Sequence, residues 1–276
     1  MTLRQFLRTL GKRLLTDNIS FLAGGVAFYG LLALFPAIGA IVAVLAIAAR
    51  PRVVREQLEA IQVLFPPEVF EILHVQVLSL VKQSDQKLSL ALVVGLLLAV
   101  LSATRGTKAL LAALNIVFRV RENRKWWRQN ILSFSITCGG LALLLFAFLT
   151  ITALPIALNL FSDWIGADTA GIVSWMRWLL LGGAMFVGVL LLYAFGPNIP
   201  NNKKSLSEAL IGTVVASGCW LLTTVIGSWI LGQVPQLHAA YGSLSAVIVL
   251  MLWMVASAYC LLLGAAVTAV LSEQQE

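Results

Sequence analysis

Long apolar runs separated by short polar segments dominate this chain. Two of the runs, residues 19–49 and 243–271, contain no Asp, Glu, Lys or Arg. Each is longer than the roughly 20 residues that an α-helix needs to cross a bilayer. The pattern predicts an all-α membrane protein with six transmembrane helices between residues 19 and 271. The predicted spans are 19–48, 88–104, 131–158, 173–196, 207–232 and 243–271.

The polar segments predict three further helical features. Residues 1–18 place Leu3, Phe6, Leu7, Leu10 and Leu14 on one helical face and three cations on another, which is typical of an amphipathic helix lying in the membrane interface. Residues 50–87 form the largest polar segment, and Pro66-Pro67 divides it into two short helices. We expect an external helical hairpin there, an amphipathic cytoplasmic connector after the second span, and a short tail at 272–276.

Composition agrees with a membrane location. The chain of 276 residues is 60% hydrophobic and 11% charged, with a mean hydropathy of +0.93, whereas soluble domains carry about 25% charged residues. The three cysteines fall inside predicted spans and show neither disulfide nor metal-ligand spacing. These features exclude a soluble globular protein.

The distribution of cations sets the predicted orientation. Thirteen of the 19 Lys and Arg residues fall in the N-terminal segment, in residues 105–130 and at Lys203-Lys204. Positive charge is enriched in cytoplasmic loops. The sequence therefore predicts a multi-pass membrane protein with both termini in the cytoplasm.

The segment "SATRGTKALLAALN" (102–115) places two cations directly after an apolar run. If residues 105–122 form one helix, bent near Gly106, its polar face carries Arg105, Lys108, Asn115, Arg119 and Glu122. Two interpretations stay open: anchoring of the helix at the cytoplasmic interface, or a vestibule that attracts anions. In the second, Arg105 and Lys108 attract the substrate and Asn115 orients it.

The run "RVRENRKWWRQN" (119–130) combines cations with tryptophans, as at a membrane–water boundary. The residues that we expect at lipid headgroups are Arg4, Arg8, Lys12, Arg13, Arg119, Arg121, Arg124, Lys125, Trp126, Trp127 and Arg128.

Nothing in the sequence supports hydrolytic chemistry. Metal-dependent RNA cleavage needs clustered carboxylates or histidines, but the acids of the cytoplasmic segments are scattered and both histidines, His74 and His238, fall on the predicted outer side. We expect no enzyme, no metal, no cofactor and no nucleic-acid partner. The expected partners are membrane lipids and an anionic or amphiphilic substrate, and a homo-oligomer is an open alternative.

Small residues suggest close helix contacts. Gly212 with Ala216 and Gly264 with Thr268 have small-xxx-small spacing, which favours helix packing or dimerisation. The alternative is a groove through which a lipid-like molecule passes.

Three ordered blocks resemble one family, the YihY/BrkB family, whose members were formerly labelled ribonuclease BN-like. The blocks are "AGGVAFYGLLALFPAI" (23–38), "SATRGTKALLAALNIVFRVRENRKWWRQN" (102–130) and "YGSLSAVIVLMLWMVASAYCLLLGAAVTA" (241–269). The resemblance implies six spans, a location in the bacterial inner membrane and an association with virulence and lipid export. It also suggests Tyr29, Tyr241 and Trp253 as weaker candidates for substrate binding.

One position departs from the family pattern. Ala266 stands where the family usually has Glu, which places in doubt any proton coupling through that residue. Taken with the charge pattern, the sequence predicts a transporter or exporter of an anionic or amphiphilic, lipid-like substrate. The alternative is an envelope scaffold that does not transport.

Overall fold

A computed structural model describes residues 2–48, 85–160, 169–200, 206–233 and 244–273. Within these ranges the chain is helical and contains no strand, which confirms the all-α prediction. The helices are α1 (Leu3–Thr16), α2 (Ile19–Ala48), α3 (Asp85–Val117), α4 (Trp126–Leu160), α5 (Thr169–Phe195), α6 (Leu206–Gln233) and α7 (Leu244–Ser272).

Four of these helices are long and apolar enough to cross a membrane. The qualifying segments are Trp126–Ile151, Trp175–Phe195, Leu206–Ile230 and Val247–Ser272. They agree with the last four predicted spans. The pair α1–α2 meets the same test only as a bent unit, and α3 is not in this set, so the count of six spans stays a prediction. The predicted external hairpin lies almost wholly outside the described residues.

Helix α1 begins with a reciprocal cap. The Thr2 hydroxyl accepts from the Gln5 backbone N–H at 3.4 Å, and the Gln5 side chain accepts from the Thr2 backbone N–H at 3.0 Å. Such a capping box satisfies two donors that a helix start otherwise leaves unpaired. Helix α1 ends before Asn18, whose φ of 49° turns the chain toward α2.

The chain divides into two compact units. Unit 1 contains Met1–Ser20, Leu110–Leu221 and Tyr259–Glu276, and unit 2 contains Phe21–Ala109 and Leu222–Ala258. Large apolar side chains such as Trp175, Leu179 and Val214 are exposed in unit 1. In water such surface would be unfavourable, but lipid chains cover it without cost.

The core of unit 1 includes a close contact between α6 and α7. A Cβ atom added to Gly264 would lie 2.5 Å from the Gly212 carbonyl oxygen and 2.6 Å from the Ala216 Cβ. Neither glycine has room for a side chain, and Thr268 packs against Gly212. The predicted packing role of these small residues is therefore confirmed.

Candidate functional site

The C-terminus of α3 lies earlier in the chain than we expected. The Val120 N–H donates to the Asn115 carbonyl and the Arg119 N–H donates to the Ile116 carbonyl, both at 2.9 Å. Arg119 has a φ of 54°, so these bonds form a Schellman-type end with Arg119 in the left-handed position. The predicted helix over 105–122 is wrong, because the backbone leaves the helix after Val117. Arg119 and Glu122 therefore do not continue the polar face of Arg105 and Lys108, and α3 is uninterrupted at Gly106.

Asn115 joins three segments of unit 1. Its Nδ2 donates to Glu122 Oε2 at 2.9 Å, and its Oδ1 accepts from the Asn198 backbone N–H at 2.8 Å. The Asn198 side chain in turn donates to the Arg121 carbonyl at 2.9 Å. Only 6% of Asn115 is exposed. Both polar ends of this side chain thus bind the protein itself.

Arg124 caps the C-terminus of α5. Its guanidinium donates to the Gly196 carbonyl at 2.9 Å and to the Pro197 carbonyl at 3.0 Å, with a longer contact to Phe195 O. Its backbone N–H donates to Glu122 Oε1 at 3.0 Å. A cation at a helix C-terminus is favourable because the last carbonyl groups carry partial negative charge.

Gly196 allows this arrangement. A Cβ atom at this position would collide with the Leu192 carbonyl and would lie 3.2 Å from Leu114. Since an added Cβ would meet the backbone carbonyl of Leu192, only glycine fits without movement of the backbone.

Arg105 and Lys108 lie on α3 in unit 2, about one helical turn apart. Arg105 is exposed and Lys108 is half-buried. Neither forms an ion pair or hydrogen bond with the described part of the chain. Between them, Gly106 lies against the backbone of Tyr29, whose carbonyl oxygen would be 3.5 Å from a Cβ at this position.

The other predicted substrate residues have mixed surroundings. Tyr29 is 40% exposed and forms an edge-to-face contact with Phe28, with ring centroids 5.6 Å apart. Trp253 is 42% exposed. Tyr241 lies outside the described residues. In unit 2 the structure brings Arg105, Lys108 and Tyr29 onto neighbouring helices, whereas Asn115 belongs to the network of unit 1.

Most of the predicted interface residues are accessible at the surface. Exposed members are Arg4, Arg8, Lys12, Arg119, Arg121, Lys125, Trp126, Trp127 and Arg128. Arg128 lies 5.1 Å from the ring centroid of Trp127, and Arg119 pairs with Asp17 at 3.3 Å. The contact of these residues with lipid headgroups stays a prediction. Arg124, in contrast, is bonded to carbonyl groups of the protein.

Arg13 has different surroundings from the other cations of α1. It is only 4% exposed and forms an ion pair with Glu273, directly after α7. Within unit 1 this pair connects α1 to the end of α7. The amphipathic pattern of α1 could not distinguish Arg13 from Arg8 or Lys12, because Glu273 lies near the other end of the chain.

Glu208 is a buried acid that the sequence pattern did not single out. It is 4% exposed at the first turn of α6, and its Oε2 accepts from the Ser272 hydroxyl. A carboxylate at a helix N-terminus is favoured by the helix dipole. In the sequence, Glu208 is an acid at the start of a helix, followed by apolar residues. An exposed acid at a helix N-terminus has the same pattern, so the pattern does not indicate burial.

The described residues contain no group of three or more His, Cys, Asp or Glu side chains that could hold a metal ion. Three of the acids in these ranges instead contact separate neighbours: Asp17 pairs with Arg119, Glu122 accepts from Asn115, and Glu208 accepts from Ser272.

Comparison with known proteins gives a family for this chain. The profile of the family described as "Virulence factor BrkB" matches residues 10–276. A UPF0761 membrane protein of Tolumonas auensis is 28% identical over 274 residues, which is 99% of this chain and 87% of that protein. A second UPF0761 membrane protein, PBPRA3489 of Photobacterium profundum, is 26% identical over 98% of this chain and 82% of its own length.

A third relative has a different kind of name. YfkH of Bacillus subtilis, named as a ribonuclease-like protein, is 28% identical over 188 residues, 66% of each chain. No solved structure matches. The match over nearly the whole chain, together with several helices long and apolar enough to span a membrane, shows that this chain is a multi-pass membrane protein of the BrkB family.

Proposed function

We propose that this protein moves an anionic or amphiphilic, lipid-like substrate across the bacterial inner membrane, with both termini in the cytoplasm. The proposal depends on the position of Arg105 and Lys108 and on their surroundings. Both cations follow the apolar part of α3, and neither is paired with a described residue of the protein. Charged side chains near the end of an apolar helix are costly unless water, lipid or a ligand compensates them.

The spacing of the two cations suits an anionic headgroup. Residues three apart lie on the same side of a helix, so Arg105 and Lys108 can approach one anion together. Gly106 keeps the backbone of Tyr29 beside them, and the half-exposed Tyr29 ring offers a surface with both polar and apolar parts. The preceding turns of α3, rich in Leu and Val, would suit the acyl chains of the same substrate.

Asn115 no longer belongs to the proposed substrate path. Its amide is buried and bonded at both ends to Glu122 and Asn198, so a substrate would have to break those bonds to reach it. The proposal therefore rests on Arg105 and Lys108, with Tyr29 and Trp253 as secondary candidates.

One further expectation is retained as part of the proposal, and one competing function stays open. We infer that the protein is not an enzyme; the ribonuclease-like name belongs to YfkH. The competing function is an envelope scaffold, and the interlocked contacts of unit 1 around Asn115 and Arg124 would suit either function. Transport must therefore be tested directly.

The test uses the purified protein in phosphatidylcholine vesicles that contain a trace of fluorescent, NBD-labelled phosphatidylglycerol. Dithionite, which bleaches only the outer leaflet, reports movement of the probe between leaflets. We expect faster movement than in protein-free vesicles, and slower movement of the matched NBD-phosphatidylcholine, because the latter has no net negative charge.

A parallel arm follows efflux of trapped carboxyfluorescein, a water-soluble organic anion. Faster efflux with an immobile lipid probe would make the substrate a soluble anion. Equal movement of the charged and neutral lipids would contradict selection for an anion. Rates equal to those of protein-free vesicles in both arms would contradict transport and favour the scaffold.

A further inference from the structure

Two thiols meet between α6 and α7 in unit 1. Cys219 Sγ and Cys260 Sγ are 3.1 Å apart, with Cys260 donating to Cys219. Both are reduced. Cys260 is buried, with 2% of its surface exposed, and Cys219 is half-buried. Cys138, on α4, is exposed and has no such partner thiol.

The thiol contact continues the register of α6 against α7 within unit 1. Side by side along the antiparallel helices lie Glu208 with Ser272, Gly212 with Thr268, Ala216 with Gly264, and Cys219 with Cys260. Each pair follows the previous one by about one turn on both helices. Since Gly212 and Gly264 bring the two backbones together, the close approach of the two helices favours contact between the thiols.

We propose that Cys219 and Cys260 form a reversible disulfide that joins α6 to α7 when the protein meets an organic hydroperoxide in the membrane. A disulfide needs two Cβ atoms about 3.8 Å apart. Sulfur atoms already in contact across closely packed helices require little backbone movement to reach that geometry.

The reaction balances with the hydroperoxide as the oxidant. The more accessible Cys219 sulfur attacks the terminal oxygen of ROOH, so that an S–O bond forms as the O–O bond breaks. The Cys219 proton passes to the leaving alkoxide, and the products are a sulfenic acid and the alcohol ROH. The Cys260 sulfur then attacks the Cys219 sulfur, an S–S bond forms, and the sulfenic oxygen leaves as water with the Cys260 proton. A dithiol reductant reverses the bond.

The disulfide would fix the register of α6 against α7. It closes a loop between residues that are 41 positions apart, and a cross-link of this kind lowers the entropy of the unfolded chain. The modification is independent of the transported substrate, so its test stands apart from the transport assay.

The experiment uses the full-length protein in phosphatidylcholine nanodiscs with cumene hydroperoxide as the probe. After removal of the oxidant, the protein is denatured and its thiols are counted by the gel shift that PEG-maleimide gives. With three cysteines in the chain, we expect three adducts before oxidation, one afterwards, and three again after reduction. Peptide mapping should find Cys219 linked to Cys260.

Two variants make the result specific. Cys138→Ser should change from two adducts to none, and Cys219→Ala should retain its two adducts after oxidation. Oxidation should raise the thermal unfolding midpoint of wild type and of Cys138→Ser, and should leave that of Cys219→Ala unchanged. Three adducts after oxidation, a linkage that contains Cys138, or a loss of adducts that reductant does not restore would each overturn the proposal.

Discussion

Arg105 and Arg124 carry the same charge in one cationic stretch of sequence, but the protein uses them differently. Arg124 donates to carbonyl groups at the end of α5 and lies near Glu122 at 3.6 Å, with 18% of its side chain exposed. Arg105 is exposed and makes no hydrogen bond or ion pair with the described residues. Arg124 thus completes the fold, while Arg105 remains available to water, lipid or substrate.

The difference teaches how to read a cationic segment in a membrane protein. The density of cations over 105–130 suggested one basic surface. In the structure, some of these cations are bonded to other groups of the protein and others are not. A cation bonded to backbone carbonyls should affect stability, whereas an unpaired cation should affect only what the protein binds.

The largest effect on stability is expected for Arg124→Gln. The carbonyl groups of residues 195–197 lose a charged donor and Glu122 loses its neighbouring cation. We expect a loss of about 3 kcal/mol in the free energy of unfolding, since bonds to charged groups contribute about 1.5–3 kcal/mol each and do not add fully. Denaturant unfolding in mixed micelles, followed by tryptophan fluorescence, measures it.

Lys125→Gln is the matched control, because it removes the same charge at the next, exposed position. Its effect should stay within about 0.5 kcal/mol. Equal losses in the two variants would mean that net charge, and not the α5 cap, is responsible.

The next effect concerns Asn115. In Asn115→Asp the donor to Glu122 is lost and two carboxylates face each other, so we expect a loss of about 2 kcal/mol. Adding Glu122→Gln reverses the polarity of the bond, because the new amide donates to the new carboxylate and its oxygen still accepts from the Arg124 N–H. The double variant should recover about half of the loss in the same unfolding assay. Absence of recovery would argue against the hydrogen-bond assignment.

A smaller effect is expected at Arg119. Its positive φ is unfavourable for any residue with a Cβ atom, by about 1–2 kcal/mol. Arg119→Gly and Arg119→Ala both remove the pair with Asp17, so they differ mainly in backbone freedom. The free energy of unfolding of Arg119→Gly should be higher than that of Arg119→Ala by about 1 kcal/mol. If the two variants unfold at the same denaturant concentration, the left-handed helix end is wrong.

Hydrophobic patterning was enough to predict the long apolar helices, because the length of an apolar run is a local property of the sequence. It predicted α4 to α7 closely. The spacing of small residues predicted close helix packing at Gly212 and Gly264, but only the structure shows that these two residues pack against each other. Hydrophobic patterning failed at the end of α3, where Arg119 takes the left-handed conformation. Glycine is the usual residue at such a helix end, so an arginine there gives no sign in the sequence that the helix stops.

The sequence also could not separate bound from unbound polar residues. Asn115 and Arg13 have partners at Asn198 and Glu273, and only the fold brings such distant residues together. The candidate pair Arg105 and Lys108 was predicted from the sequence alone because its signal, cations directly after an apolar run, is local.

The central claim is that Arg105 and Lys108 face an anionic substrate. The most direct measurement compares the double variant Arg105→Gln with Lys108→Gln against a control, Arg4→Gln with Arg8→Gln, which removes two exposed cations from α1. Both are followed in the unfolding assay and in the NBD-phosphatidylglycerol assay. A cation near a membrane surface contributes about 1 kcal/mol to anion attraction.

We therefore predict probe movement slower by about tenfold or more for the α3 variant, with stability within about 0.5 kcal/mol of wild type. The α1 variant should move the probe at nearly the wild-type rate. Equal slowing in both variants, or loss of stability or membrane insertion in the α3 variant, would contradict the claim and assign the two cations to anchoring.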